Sequence, residues 1–318
     1  VDDASTDATP GLLATLAAED ARIRILHPGR NLGIVGARNF GFAACRAPLV
    51  AALDHDDLSD PERLARQATW LDANPDVVLA GTGVRILHPD GRLQATDHAP
   101  DSGVPSVMRW SLLTDNPLTW ASVMLRAEAV RRLGAFLRPE YEYADDFDLY
   151  LRLSKLGGIA RLPEVLTTYR WHAGNTTHRR AGVLHANASR ALAEAIADRF
   201  GADAPRIAEL IVRHLHERVP VRDGATLDAL GAALARLLRD FDDPAIEAAA
   251  ARDWWRLARA AVRSGRPWLF SRFRAQRALR RGFAPPTGDV AQSLAIGALR
   301  AVSHPAAHRR GGRSTPAA

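Results

Sequence analysis

Three carboxylates crowd into Asp54-His55-Asp56-Asp57. An apolar run, residues 47–53, precedes them, and Asp60-Pro61-Glu62-Arg63 follows as a helix start. That order puts Asp54, Asp56 and Asp57 at the carboxyl end of a strand, where open α/β sheets bind ligands. Carboxylates this close repel one another unless a positive charge is shared among them. A divalent cation is one answer, and hard oxygen ligands suit magnesium, calcium or manganese. The other is a solvated acidic turn with Asp60 as helix cap.

Three further clusters have the residue types for chemistry. Asp145-Asp146-Phe147-Asp148 closes an acidic stretch and opens a helix with Leu149, Leu151, Leu153 and Leu156 as its apolar positions. One acid suffices to complement a helix start, and three are present. Asp2-Asp3-Ala4-Ser5-Thr6-Asp7 is a polar turn before a helix begun by Thr9-Pro10, with the Thr9 hydroxyl as cap. Asn31-Leu32-Gly33-Ile34-Val35-Gly36-Ala37-Arg38-Asn39 sets two glycines at a loop-to-helix junction. Glycine there admits close approach of a ligand or of a packed strand. Both readings of Gly33 stay open on the residues alone.

The elements that must position these groups follow from periodicity. Strands are expected over residues 22–26, 47–53, 77–80 with extended chain to 87, 122–125 and 159–166. Helices are expected from Thr9, from Gly33 to about Arg46, from Asp60 to Asn74, from Ala127 to Leu133 with Gly134 as left-handed cap, and from the second acidic cluster to Gly157. Gly81-Thr82-Gly83 is not a dinucleotide fingerprint, because the third glycine and the helix are missing. Residues 95–116 read as irregular. From about residue 181 strand signals vanish, and Ala, Leu and Arg recur at helical spacing. The chain is therefore read as an α/β domain over 1–180, a helical extension over 181–303 and a disordered tail over 304–318.

Composition bounds the function classes. The 318 residues are 47% hydrophobic, enough for a real core, with a net charge of +6. Lys155 is the only lysine, so the charge is arginine, and the Ala/Arg bias reads as bacterial base composition rather than function. Cys45 stands alone, which excludes an internal disulfide and a cysteine-based zinc site and suits a reducing cytosol. No apolar run nears the ~18 residues of a membrane span. Residue 1 is Val, and Val1-Asp2-Asp3 reads as the end of a strand, so the sequence is expected to begin inside a domain.

In order, Asp-Asp-x-Ser-x-Asp, Asn-x-Gly-x-x-x-Ala-Arg-Asn, Leu-Asp-x-Asp-Asp, Asp-Asp-x-Asp-Leu-x-Leu-Arg-Leu and Tyr-Arg-x-His resemble the family 2 glycosyltransferases of GT-A fold. The resemblance covers about residues 1–175. It departs in two places: the family's first strand is absent, and Asp145-Asp146 stands where the family often has Glu-Asp. It implies a Rossmann-like, mainly parallel sheet with flanking helices and an inverting, nucleotide-sugar-dependent transfer. It implies Asp3 or Asp2 on the nucleobase, favouring UDP-sugars, and Gly33, Arg38, Asp54 and Asp56 in the nucleotide-sugar site. Mn²⁺ or Mg²⁺ would be held by Asp56, Asp57, Asp54 and His172. Asp146 would be the general base, with Asp145 as runner-up. Asn39 would bond to backbone, Asp148 would serve the helix start or hold a loop, and Trp120 and Trp171 would stack on sugar or pack in the core.

Other readings fit less well. A calcium loop of EF-hand type needs different residues at Leu58, Ser59 and Ala65. A phosphatase with an aspartate nucleophile expects Thr or Val at Leu58. A non-catalytic nucleotide- or carbohydrate-binding module remains the alternative. The expected acceptor is a glycan or a lipid-linked sugar in envelope polysaccharide synthesis. The expected location is cytoplasmic, with peripheral contact on anionic membrane where Trp254, Trp255, Trp268 and Phe270 interleave with arginines. Nucleic acid is not expected, because no recognition module is visible.

Overall fold

The computed structural model describes residues 1–96, 103–175 and 179–303. The chain divides into two compact units: residues 1–112 with 116–195, and residues 113–115 with the chain from Ile196 on. The division falls inside the helix Ala181–Phe200. The expected disordered tail, 304–318, lies outside the described residues.

In the first unit the elements are α1 Thr9–Glu19, α2 Gly33–Ala43, β1 Leu49–Ala51, β2 Leu58–Ser59, α3 Arg63–Ala73, β3 Val77–Leu87, β4 Leu93–Ala95 and α4 Pro105–Thr114. Then come β5 Met124–Arg126, α5 Ala127–Arg132, α6 Asp145–Leu153, β6 Gly158–Arg170 and α7 Ala181–Phe200. The sheet order is β1-β5-β3-β6-β2, with β4 paired to β3. The expected α/β class with flanking helices and a helical C-terminal region is what is found. The sheet, however, is mixed rather than mainly parallel. Among the described residues β3 and β6 run parallel, whereas β1–β5, β3–β5, β3–β4 and β2–β6 are antiparallel.

Other expectations shift for local reasons. Residues 22–26 form no ladder among the described residues; the Asp2 N–H donates to the Leu26 carbonyl at 3.0 Å. The two apolar runs around Gly81-Thr82-Gly83 form one strand, because the glycines admit neighbours. A Cβ on Gly83 would meet the Glu164 carbonyl at 2.9 Å. Residues 95–116 are not wholly irregular, since they contain the last residue of β4 and the whole helix α4, though 97–102 lie outside the described residues. Thr9 does not cap α1; the Asp7 carboxylate does, accepting the Thr9 N–H at 2.9 Å. Gly134 has the expected positive φ, +76°.

The core of this unit sets Leu71 of α3 against Val77 and Ala80 of β3, Met124 of β5, and Ala160 and Leu162 of β6. Two polar residues of α3 are buried with it. Gln67 Nε2 donates to the carbonyls of Ala80 (2.7 Å) and Ser122 (3.0 Å). The Arg63 guanidinium donates to the Ala121 carbonyl and, at 2.9 Å, to that of Ala52. Buried donors need such partners, and here they pin the chain two residues before Asp54.

The second unit contains α8 Ala204–Ile211, α9 Gly224–Leu238, α10 Pro244–Arg263, α11 Leu269–Ala275 and α12 Thr287–Ser303. Asp223 and Asp243 cap α9 and α10 through their carboxylates. Their aromatics do not form a lipid-facing surface. Trp254, Trp255 and Phe273 are buried, and their rings pack at 5.4–6.0 Å. Phe270 stacks on Phe273, and of the four aromatics expected at a membrane Trp268 alone is more than half exposed. The helical stripe that suggested a membrane surface is this unit's core. Among the described residues no helix is long and apolar enough to cross a membrane.

Candidate active site

The site is built around one guanidinium. Arg38, on α2, donates to Asp54 at 3.0 Å and to Asp145 at 2.9 Å, and its guanidinium lies 4.5 Å from the Trp120 ring centroid. Trp120 is 9% exposed. It therefore supports Arg38 by a cation–π contact and is not a face offered to a sugar. Burial opposes the charge on Arg38, but Asp54, Asp145 and Asp146 outweigh it and hold its pKa above the usual arginine value.

α6 presents the two candidate acids differently. Asp145 is buried and spent on Arg38. Asp146 is half-buried, and its carboxylate accepts the Phe147 N–H at 2.7 Å. Burial, then the neighbouring Asp145 charge, push its pKa up to about 7. Tyr150 lies one helical turn on, on the same face as Asp146. It is fully buried, and its hydroxyl has no hydrogen-bond partner among the described residues. The i, i+4 spacing made Tyr150 findable from sequence, but a tyrosine among leucines reads as core.

The turn that carries these acids is held from three sides. Asn39 of α2 exchanges hydrogen bonds with the Leu137 backbone, at 2.9 and 3.0 Å, as expected of it. Asp148 is buried between Arg138 and Arg152, a loop-holding role. Asn187 of α7 donates to the Glu142 carbonyl at 2.8 Å. Next to Glu142, Tyr143 has φ +71°, an unfavourable conformation for a residue with a Cβ. Nothing in the sequence marked Asn187.

The acidic stretch 54–57 does not gather into one clamp. Asp54 faces Arg38, Asp56 Oδ2 lies 3.0 Å from His172 Nε2, and Asp57 accepts the Arg170 N–H at 2.9 Å. Among the described residues no three His, Cys, Asp or Glu side chains come together to hold a metal. Asp57 turns inward as part of the β2–β6 junction, and burial pushes its pKa up to about 6. Its Oδ2 is buried with no hydrogen-bond partner among the described residues. The expected four-residue set thus reduces to a pair. Asp56 and His172 present one carboxylate and one imidazole, both partly exposed. The carboxylate suits Mn²⁺ or Mg²⁺, and Mg²⁺ is commonly held by one or two carboxylates together with substrate phosphates.

At the other end of α2, the Asp3 carboxylate accepts the N–H groups of Leu32 (2.7 Å) and Gly33 (2.9 Å). Gly33 has φ +71°, so its backbone conformation, not only its size, calls for glycine. Asp2 is buried and engaged by the Ser5 N–H at 3.2 Å and by His27 at 3.3 Å. Asp3 is thus the partly exposed member of the pair, and Asp2 holds the turn.

Residues 1–133 match the sequence profile described as Glycosyl transferase family 2. That match takes in less than half of the chain. An uncharacterized glycosyltransferase of Haemophilus influenzae is 26% identical over 183 residues, covering 56% of this chain and 57% of that one. The amylovoran biosynthesis glycosyltransferase AmsE of Erwinia amylovora is 31% identical over 142 residues, covering 44% and 52%. The chain spans about half the length of these curated relatives. Among solved structures, TarS of S. aureus in complex with UDP-GlcNAc aligns over 92% of this chain and 80% of that one at 14% identity, with a TM-score of 0.48. The family 2 stretch contains Asp3, Arg38 and Asp54–Asp57, while Asp145, Asp146 and His172 lie beyond it.

Proposed function

We propose that this chain transfers a glycosyl group, with inversion, from a nucleotide-diphosphate donor to an acceptor hydroxyl. The observation that carries the reading is Asp146, a carboxylate made weakly acidic beside a guanidinium already occupied by Asp54 and Asp145. A base whose pKa lies near the working pH accepts a hydroxyl proton most effectively. The family 2 match over residues 1–133 supports this reaction class.

In this reading Asp146 orients the acceptor hydroxyl and takes its proton as the oxygen attacks the anomeric carbon. The bond from that carbon to the diphosphate breaks on the opposite face, and its electron pair leaves with the diphosphate. Asp145 and Arg38 fix the position of Asp146 and of the 54–57 turn. Asp3 keeps lone pairs beyond the two N–H groups it accepts, and these suit a uracil imide, which favours a UDP-sugar. Gly33 leaves the backbone beside Asp3 open to a ligand. Asp56 and His172 would hold Mn²⁺ or Mg²⁺, which when bound neutralises charge on the leaving diphosphate. A glycan or lipid-linked glycan is the proposed acceptor, in keeping with the biosynthetic role in the name of the Erwinia relative.

Mass spectrometry of the full-length protein incubated with UDP-glucose, UDP-galactose, UDP-N-acetylglucosamine or GDP-mannose and Mn²⁺ tests this. Turnover of one donor is expected, falling about 100-fold or more in Asp146→Asn. Unchanged turnover in that variant would remove Asp146 from the chemistry.

A further inference from the structure

β3 and β6 are parallel neighbours, and both end at the same level, Leu87 beside Arg170. Ligands of α/β sheets gather beyond the carboxyl ends of parallel strands. Beyond these two ends lies a cavity of about 250 Å³, lined by Leu87, His88, Pro89, Gly91, Arg170, Trp171 and His172. Two backbone features shape it. The Trp171 N–H donates to the Leu87 carbonyl at 2.9 Å, and the His88–Arg92 turn closes through Gly91 at φ +82°. His88 is held by Gln94 at 3.0 Å, and its ring centroid lies 6.1 Å from that of Trp171.

We propose that this cavity is a subsite for one neutral pyranose ring of the acceptor, resting on Trp171 with its hydroxyls toward His88 and Arg170. The proposal deepens the transferase reading and rests on it for the word acceptor. Size suits a single ring, because the cavity is smaller than the roughly 300–1,000 Å³ pockets that take drug-sized ligands. Chemistry argues for a sugar. Trp171, 36% exposed, gives an apolar face with a polar edge nearby. Position argues for the acceptor. His172 lines the cavity and also touches Asp56, so the subsite adjoins the 54–57 turn, whereas Asp3 and Arg38 do not line it. Leu87, His88, Pro89 and Gly91 lie within the family-matched stretch, and Arg170, Trp171 and His172 lie beyond it.

Saturation-transfer NMR with the methyl glycosides of glucose, galactose, mannose and rhamnose tests the subsite without any turnover. At least one glycoside is expected to bind the wild type. Binding should weaken roughly tenfold in Trp171→Ala and return in Trp171→Phe. The Trp171→Phe arm separates loss of the aromatic face from loss of folding. No binding by any of the four glycosides, or equal binding by Trp171→Ala, overturns the proposal. Displacement of a bound glycoside by inorganic pyrophosphate at equal concentration also overturns it, by marking a diphosphate site. Donor turnover by the wild type is measured separately. Turnover without Trp171-dependent glycoside binding removes the subsite and leaves the transferase reading. Trp171-dependent binding without turnover of any donor removes the transferase reading and leaves a sugar site.

Discussion

Arg38 and Asp145 are joined at 2.9 Å by a hydrogen bond between α2 and α6, with Asp54 on the other arm of the same guanidinium. Removing the guanidinium leaves Asp145 buried and unpaired beside Asp146, and breaking such a pair from one side costs about 3–5 kcal/mol. Arg38→Ala should therefore lower unfolding free energy by roughly 3 kcal/mol in urea titration. Arg38→Ala with Asp145→Asn should recover part of that loss, because the orphaned charge is gone. An additive double variant would show that the two residues do not interact.

The raised pKa of Asp146 gives opposite pH trends for activity and stability. As a base it works when deprotonated, so kcat should rise with pH through about 7 and level off above. For stability the sign reverses. Between its unfolded value near 3.8 and its folded value the native state holds more protons, so unfolding free energy falls as pH rises. Asp146→Asn should flatten that decline and be more stable than the wild type at pH 8 but not at pH 4. A parallel decline in both proteins would refute the assignment.

Asp56 and Asp57, adjacent in the chain, should separate in metal binding. Second-sphere and ligand losses typically cost 10–100-fold in affinity. Mn²⁺ titration followed by electron paramagnetic resonance should show Asp56→Ala and His172→Ala weakened by about that factor. Asp57→Asn keeps an acceptor for the Arg170 N–H and should bind Mn²⁺ within about threefold of wild type. Chelation with EDTA should abolish donor turnover and leave the unfolding midpoint unchanged. Equal weakening by Asp56→Ala and Asp57→Asn would restore the single clamp.

Asn187 holds the carbonyl next to the strained Tyr143, two residues before Asp145. Asn187→Ala should reduce kcat several-fold while donor KM stays near the wild-type value, because the loss is in positioning the base. A rise in donor KM with kcat unchanged would contradict this.

What the sequence made legible is the set of acids and their order; what it did not is their partners. Asp54, Asp56 and Asp57 read as one cluster because they are neighbours along the chain. In the fold each carboxylate finds a different partner: Arg38 of α2, His172 two residues past β6, and the Arg170 N–H at the end of β6 itself. Long-range pairing decides that, and local spacing cannot report it. The strand polarity was hidden for the same reason, since an apolar run looks alike in either direction. Asn39, inside α2, and Asp148, in the first turn of α6, were readable because each falls in a motif of the family resemblance. Trp120 was ambiguous on its face, and only the overlying guanidinium resolves it. The aromatics of the second unit show the opposite error, a core stripe mistaken for a surface.

The parallel pairing of β3 with β6 also sets an order of events during synthesis. β3 leaves the ribosome long before Gly158–Arg170 exists to pair with it, and non-local pairings of this kind are slow to form. Until they form, Leu79 and Ala80 lack one neighbouring strand, and Asp57 lacks the Arg170 N–H. A nascent chain halted between these strands thus carries every acid of the 54–57 turn and none of the junction that sorts them. The site is completed by its last strand, and folding and competence arrive together.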